Sequence, residues 1–294
     1  MSIHPQLFFV ITLWRVLARL PATWLAPVAT AGGWLHQRLA PRQVRRLYLN
    51  LQRVYALPQH SYFARLFAGQ VFRQQILIGL ETLRAIRRPS CLNILGLAEL
   101  QAQVASAAAA GRGHILVTAH LGSWELCAYY AQQAASKPLH VLAKPSRSPL
   151  LTAFLGVLRE RMGSHVLWTD KKSLLREMLA ALKRGEALGF VMDQKPDGRS
   201  GPLVSFLGVP TEFVAGPEVM ARKMGCPVIA IFCVREGLLT YRLLSETLFA
   251  ADAEALAALP EGAVTARCGA AIERVIRAYP EQWTWTYKRW RETI

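Results

Sequence analysis

No uninterrupted apolar run in the sequence reaches the ~18–20 residues that a spanning helix needs, which argues against a polytopic membrane protein. No Asp or Glu occurs before Glu81, although Arg15, Arg19, Arg38, Arg42, Arg45, Arg46, Arg53, Arg65 and Arg73 all do. The five cysteines (Cys91, Cys127, Cys226, Cys233 and Cys268) are odd in number and scattered, with no CxxC pair. A disulfide framework is therefore excluded, and a reducing, cytosolic setting is expected. No Walker loop or G-x-G-x-x-G follows a predicted strand, and no G-x-S-x-G elbow surrounds a serine. No HExxH places two histidines on one helix face, so a zinc site is not expected. The N-terminus also lacks the features of a cleaved signal peptide. Met1–Gln6 has no Lys or Arg, and Arg15 and Arg19 interrupt the apolar segment that follows.

What is present is an apolar and basic chain of 294 residues, 52% hydrophobic and 18% charged. That is long enough for one large or two ordinary domains with a proper core, and too apolar for disorder. The mean hydropathy of +0.21 is high for a freely soluble enzyme, so contact with lipid is expected. The formal net charge is +16. A basic, acid-free end suits nucleic acid or an anionic membrane face. Leu7-Phe8-Phe9-Val10-Ile11 and Trp14, Trp24 and Trp34 are interleaved with the arginines, which favours the membrane: Trp and aliphatic groups enter the interface while Arg meets lipid phosphate. The plainer alternative is a basic helical subdomain packed on the rest of the chain. Whether residues 7–35 span or lie flat stays open.

Residues 1–85 read as helical segments broken at Pro21, Pro27, Pro41 and Pro58. From about residue 90 the pattern alternates. Short β-rich runs are expected at Cys91–Leu95, His114–Thr118, Leu139–Ala143, His165–Trp168, Leu188–Met192 and Pro227–Val234. Helices are expected at Glu99–Ala110, Trp124–Ala135, Pro149–Met162 and Ser173–Lys183, with Gly111 and Gly185 as left-handed stops. Further helices are predicted over Phe213–Met224 and Thr265–Ala278, and a later strand over Leu239–Leu244. This alternation predicts an α/β fold: a mainly parallel sheet flanked by helices over residues 86–294, preceded by a helical, membrane-associating region at 1–85. No linker separates the two.

The most informative segment is His114-Ile-Leu-Val-Thr-Ala-His120-Leu-Gly-Ser-Trp-Glu125. An apolar strand runs into His120, Gly122 permits a tight turn, and Ser123 can cap the next helix. A His and a carboxylate five residues apart diverge by roughly 140° on a continuous helix. They converge only if His120 lies on the loop and Glu125 in the first helical turn. Glu125 would then orient the imidazole, and His120 would act as a general base toward a hydroxyl at the carboxyl end of a strand. The bland alternative is a structural His beside a Glu that favours the helix N-terminus.

Lys144 follows a strand, and Arg159 and Arg161 close a predicted helix. Cations near strand ends suit a phosphate-bearing substrate or a phosphopantetheine arm; the alternative is a solvated helix face. Asp193 ends an apolar strand and faces either a site or a turn. Trp283 and Trp285 read first as core aromatics.

Taken together, these stretches resemble a known family. His120-Leu-Gly-Ser-Trp-Glu125 resembles the H-x-x-x-x-[DE] box of the glycerolipid acyltransferase superfamily, and its Glu version resembles the late acyltransferases of bacterial lipid A biosynthesis. Lys144-Pro … Pro149-Leu … Arg159-Glu-Arg161-Met-Gly163 resembles the second block of that family. Gly189-Phe-Val-Met-Asp193-Gln194 … Gly198 … Val204-Ser-Phe206-Leu-Gly208 … Thr211 resembles the third. Pro280-Glu-Gln-Trp283-x-Trp285-x-x-Lys288-Arg289-Trp290 resembles the closing signature, and Lys195-Pro196-Asp197 departs from the third block.

The resemblance implies an O-acyltransferase at the cytoplasmic face of the inner membrane, moving a fatty acyl chain from acyl carrier protein to a hydroxyl of a lipid A precursor, a phosphorylated glycolipid, in lipopolysaccharide biosynthesis. His120 and Glu125 would be catalytic, and Lys144, Arg159, Arg161, Asp193 and Gln194 would bind substrate. It implies direct transfer without a covalent acyl-enzyme, and no metal or cofactor. The oxyanion would be met by Arg159 or by backbone N–H groups. Relatives that acylate pigment-type lipids or phosphatidylinositol mannosides keep other acceptors open. A basic nucleic-acid-binding protein or a non-catalytic membrane scaffold would leave His120 and Glu125 without a role.

Overall fold

The computed structural model describes residues 5–59, 61–146, 148–196 and 201–290; Gly198 of the third block lies outside them. Four helices come first: α1 (Pro5–Leu17), α2 (Ala22–Leu39), α3 (Pro41–Tyr55) and α4 (Tyr62–Arg87). Strand and helix then alternate through β1 (Asn93–Leu95), α5 (Leu97–Ala109), β2 (His114–Thr118), α6 (Trp124–Ala134), β3 (Leu139–Ala143), α7 (Pro149–Arg161), β4 (His165–Trp168), α8 (Leu174–Lys183) and β5 (Ala187–Val191). The remainder comprises β6 (Leu203–Phe206), β7 (Val209–Glu212), α9 (Gly216–Met224), β8 (Val228–Gly237), β9 (Thr240–Phe249), α10 (Ala253–Ala258) and α11 (Ala263–Ala278).

Seven strands form one sheet in the order β1-β9-β8-β2-β5-β3-β4. β8, β2, β5, β3 and β4 run parallel, while β9 is antiparallel to β8 and carries β1 beside it. The expected α/β fold with a mainly parallel sheet flanked by helices is therefore the fold found. Strand β2 is central because Ile115, Leu116 and Val117 are all buried, one face against each layer, as a strand covered on both sides demands. The site depends most on the β2–β5 register, which sets Thr118 opposite Val191. The Met192 N–H continues that ladder to the Thr118 carbonyl at 2.9 Å. Residues just beyond each strand, His120 and Asp193, are thus brought level at one edge, the carboxyl ends of the parallel strands.

Two cores sandwich the sheet. On one face Phe190, Val228 and Ile272 join Trp283, Trp285 and residues of α3 and α4 such as Leu47, Leu51, Val71 and Phe72. The other face packs Leu100, Leu126, Tyr130 and Met162 on Leu116 and Ile229. Helices α3 and α4 therefore share the core of the sheet. α1 instead packs Ile11 and Trp14 on Leu158 of α7, and α2 packs Leu25 and Ala29 on Leu77 of α4.

Most predicted elements appear within a few residues of their expected bounds, and Gly111 (φ 70°) and Gly185 (φ 81°) are left-handed as expected. Three differences have physical causes. Pro27 does not break its helix but sits inside α2. It lies in the second turn, where only the bond toward the helix start is lost, and packing of the Leu25–Ala29 face on α4 holds the rest. The helix expected from Phe213 starts only at Gly216, because Phe213 is buried in the core behind a hairpin. That β6–β7 hairpin was not expected: its two-residue turn is Leu207-Gly208, with φ 53° and 78°, and leucine gives no turn signal.

Candidate active site

The loop leaving β2 is built around the sequence Ala119-His120-Leu121-Gly122-Ser123. Gly122 adopts φ 59°, and a Cβ there would stand 2.1 Å from the Cys233 carbonyl oxygen, so no larger residue fits. Ser123 caps α6 by accepting the Leu126 N–H at 3.3 Å, and its hydroxyl lies 2.7 Å from that of Thr82. As the spacing predicts, His120 is on the loop and Glu125 is in the first turn of α6.

The imidazole meets a different acid from the one expected. His120 Nδ1 lies 2.7 Å from Asp193 Oδ1, and the His120 backbone N–H donates to the same oxygen at 3.0 Å. Glu125 turns instead to Arg159, which donates from Nε to Oε2 at 3.1 Å and from Nη2 to Oε1 at 2.7 Å. Trp124 connects the two groups: its indole N–H donates to Glu125 Oε1 at 3.2 Å, and its ring stands edge-on to His120 at 5.1 Å. The expected orientation of His120 by Glu125 is thus corrected to orientation by Asp193. The cause is topological, since β2–β5 pairing delivers Asp193 to the ring's Nδ1 while α6 points the Glu125 side chain toward Arg159 of α7.

Asp193 is almost wholly enclosed, with a side chain 4% exposed against 22% for His120. Burial by itself would raise its pKa. The facing His120 ring and the hydrogen bonds from that ring, from the Trp283 indole and from the His120 backbone outweigh burial and hold the carboxyl below its ordinary range. A carboxylate only accepts, so His120 Nδ1 carries the proton and Nε2 offers a lone pair. The Gln194 side-chain amide stands 3.2 Å from that Nε2 and donates to it. Asp193 and Gln194, expected near substrate, therefore grip the two nitrogens of one ring.

The chain's closing segment completes the grip. Trp283 donates its indole N–H to Asp193 Oδ2 at 2.8 Å. Thr284 donates to the His120 carbonyl from both its backbone N–H (3.0 Å) and its hydroxyl (2.9 Å), and Gly122 N–H reaches the Gln282 carbonyl at 3.1 Å. Gln282 is itself pinned, its amide exchanging two 2.8 Å bonds with the Arg235 backbone. Trp283 and Trp285 are core residues as first read, and Trp283 also belongs to the site. No spacing pointed to that role, because it comes from an indole nitrogen ninety residues from its partner.

The remaining predicted residues separate. Lys144 is exposed where β3 ends, on the same carboxyl edge. Arg161 is not brought to the ring: two residues beyond Arg159 on α7, it points elsewhere and lies over Trp14 of α1, 5.4 Å from the ring centre. Between the sheet and α6 and α7 runs an apolar slot of about 50 Å³, floored by Leu116, Gly189 and Val191 and closed by Ala131 and Leu139. Glu125 and Arg159 form its polar lip. A poised base beside an apolar slot can deprotonate a hydroxyl next to a long aliphatic group.

Comparison with known proteins gives the arrangement a family. The chain is similar to a phosphatidylinositol mannoside acyltransferase of Mycolicibacterium smegmatis, with 27% identity over 194 residues, covering 63% of this chain and 59% of the relative. It is likewise similar to the protein of that name from Mycobacterium tuberculosis H37Rv, with 26% identity over 204 residues, 67% of this chain and 62% of the relative. The chain thus spans about six-tenths of the length of these curated relatives. A family model described as bacterial lipid A biosynthesis acyltransferase matches residues 2–292, through the His120 loop, the Asp193 turn and the Trp283 segment, and the chain belongs to that family.

Proposed function

We propose that the protein is an O-acyltransferase that moves a fatty acyl chain from the thioester of acyl carrier protein to a hydroxyl of a membrane glycolipid, a lipid A precursor being the acceptor favoured by its family. The observation that carries this reading is the His120 ring held between Asp193 and Gln194, with Trp124, which lines the apolar slot, standing edge-on to it. Once the acceptor hydroxyl replaces the Gln194 amide at His120 Nε2, that nitrogen takes the hydroxyl proton as the oxygen attacks the thioester carbonyl carbon. The tetrahedral intermediate collapses by breaking the carbon–sulfur bond, and the thiolate leaves with the proton returned from the imidazolium. Asp193 keeps the tautomer fixed and stabilises the imidazolium while it exists. The oxyanion would be met by Arg159, which pairs with Glu125 and lines the slot, or by backbone N–H groups.

At about 50 Å³, where one water needs about 10–15 Å³, the slot holds a few waters and not a whole fatty chain. α7 is the wall that yields. Leu158 is its one buried side chain among the described residues, and it rests on α1. The outer surfaces of α1, α2 and α4 expose Phe8, Trp24, Trp34, Leu39 and Phe63 beside Arg15, Arg38 and Arg65. Among the described residues no helix is long and apolar enough to cross a membrane. This layer supports docking in the membrane plane, apolar side chains in the interface and arginines on anionic headgroups; the proposed carrier-protein donor is what argues for the cytoplasmic face of the inner membrane. The relatives named for phosphatidylinositol mannoside favour a mannosylated phospholipid as the second acceptor to consider.

The test is transfer by detergent-solubilised enzyme from acyl carrier protein charged with several chain lengths, offered a lipid A precursor and a phosphatidylinositol mannoside in parallel. A product one acyl chain heavier is expected with one acceptor. Replacing His120 with Ala should slow its formation at least ~100-fold, the low end for losing a general base. Wild-type turnover in H120A, or no acylated product from either acceptor, contradicts the proposal.

A further inference from the structure

Along the carboxyl edge of the sheet the strands step outward from His120 in the order β2, β5, β3 and β4. The turn after β4 carries Lys171 and Lys172, both exposed, and leads into α8, whose outer surface exposes Arg176 and Lys183. Arg176 and Lys183 are seven residues apart and so share one helix face, while Met178, Ala181 and Leu182 bury the other face in the core. None of these four cations makes an ion pair with a described residue. Two acids are near. Asp170 is exposed in the same turn, and Glu177 is occupied by the Ser173 hydroxyl at 2.5 Å. Arg184, next in sequence, is by contrast bound to Glu186. A single large apolar side chain, Leu175, 55% exposed, stands among the free cations.

We infer that the Lys171–Lys172 turn and the outer face of α8 form the docking surface for the acyl carrier protein, an acidic helical partner; this rests on the proposed use of that donor. Charge complementarity gives the orientation, with an acidic helix lying along Lys172, Arg176 and Lys183 and an apolar side chain meeting Leu175. The surface ends three strand spacings from the strand that delivers His120, about 14 Å. That span is within the reach of a phosphopantetheine arm passing over Lys144, and the arm's phosphate would leave the carrier beside Lys171. A lipid surface fits this stripe poorly. It has one apolar group and no Trp, whereas the exposed Trp and Phe side chains sit on α1, α2 and α4.

The test compares two donors in the full-length enzyme: acyl carrier protein and the same chain as a thioester of free pantetheine. In a variant with Lys171→Glu, Lys172→Glu and Arg176→Glu, kcat/KM for the protein-bound donor should fall on the order of tenfold or more at low salt. The pantetheine thioester should be used within about twofold of wild type, and the loss on the protein donor should shrink as salt rises. Equal losses on both donors, or no loss on either, overturn the docking surface, as does reduced binding to anionic phosphatidylglycerol vesicles with the carrier-protein rate intact. A wild-type enzyme that uses the pantetheine thioester and ignores acyl carrier protein overturns the donor assignment itself.

Discussion

Two carboxylates, Asp193 bonded to the His120 ring and Glu125 reaching it only through Trp124, are placed by different parts of the fold. Glu125 stands five residues along the chain, at the start of α6, and its side chain is 21% exposed with Arg159 as its main partner. Asp193 is seventy-three residues away, 4% exposed, and receives the His120 ring, the His120 backbone and the Trp283 indole. Nearness in sequence sets the Glu in the slot's lining; strand pairing sets the Asp against the ring's Nδ1. Only the second is enclosed enough to hold a ring nitrogen against water, and so the two acids divide the work of positioning the base and shaping the entrance.

The largest effect that would break this division comes from Asp193→Asn. An amide keeps the shape but can donate to Nδ1 and so stabilises the wrong tautomer, for which a loss of roughly 10³–10⁴-fold in kcat is expected. A loss under about tenfold would remove Asp193 from the mechanism. Glu125→Gln comes next. It leaves Arg159 at the lip without its charge partner while His120 keeps its own, so kcat/KM for the acyl donor should fall on the order of tenfold with the pH–rate profile unmoved. A displaced profile would return the orienting role to Glu125.

Trp283→Phe is the mildest, because it removes one of several bonds to Asp193, and a few-fold loss of kcat is expected. Its sharper signature is in acid. The Asp193 pKa is depressed below its ordinary 3.8, so the carboxylate contributes stability above that value and loses it as pH falls through the folded-state pKa. Without the indole donor the pKa rises back toward 3.8, the contribution shrinks, and thermal unfolding followed from pH 7 to pH 3 should show the collapse at a higher pH than in wild type. An unchanged or lower acid midpoint would show that the indole does not stabilise the charged Asp193.

How much of this was legible follows the same division between local and distant contacts. The break between His120 and Glu125 could be read directly, because a strand, a Gly122 turn and a Ser123 cap are local signals. The parallel sheet was legible from alternating strands and helices. Asp193 and Gln194 were marked as strand-end residues, but their hold on His120 was not, since it depends on β5 pairing beside β2 and not beside its neighbours in sequence. Arg159 and Arg161 looked alike until the turn of α7 sent one to Glu125 and the other to Trp14. Trp283 stood in the closing signature, but nothing in it pointed to a bond with Asp193, and the Leu207-Gly208 hairpin hid behind a residue that seldom takes a positive φ.

On this geometry Asp193, and not Glu125, holds the proton on His120 Nδ1. Nitrogen-15 and proton NMR of enzyme labelled at its seven histidines tests it most directly. A strongly downfield Nδ1–H signal, absent from H120A, should persist in Glu125→Gln and vanish in Asp193→Asn. Its loss in Glu125→Gln and survival in Asp193→Asn would contradict the account.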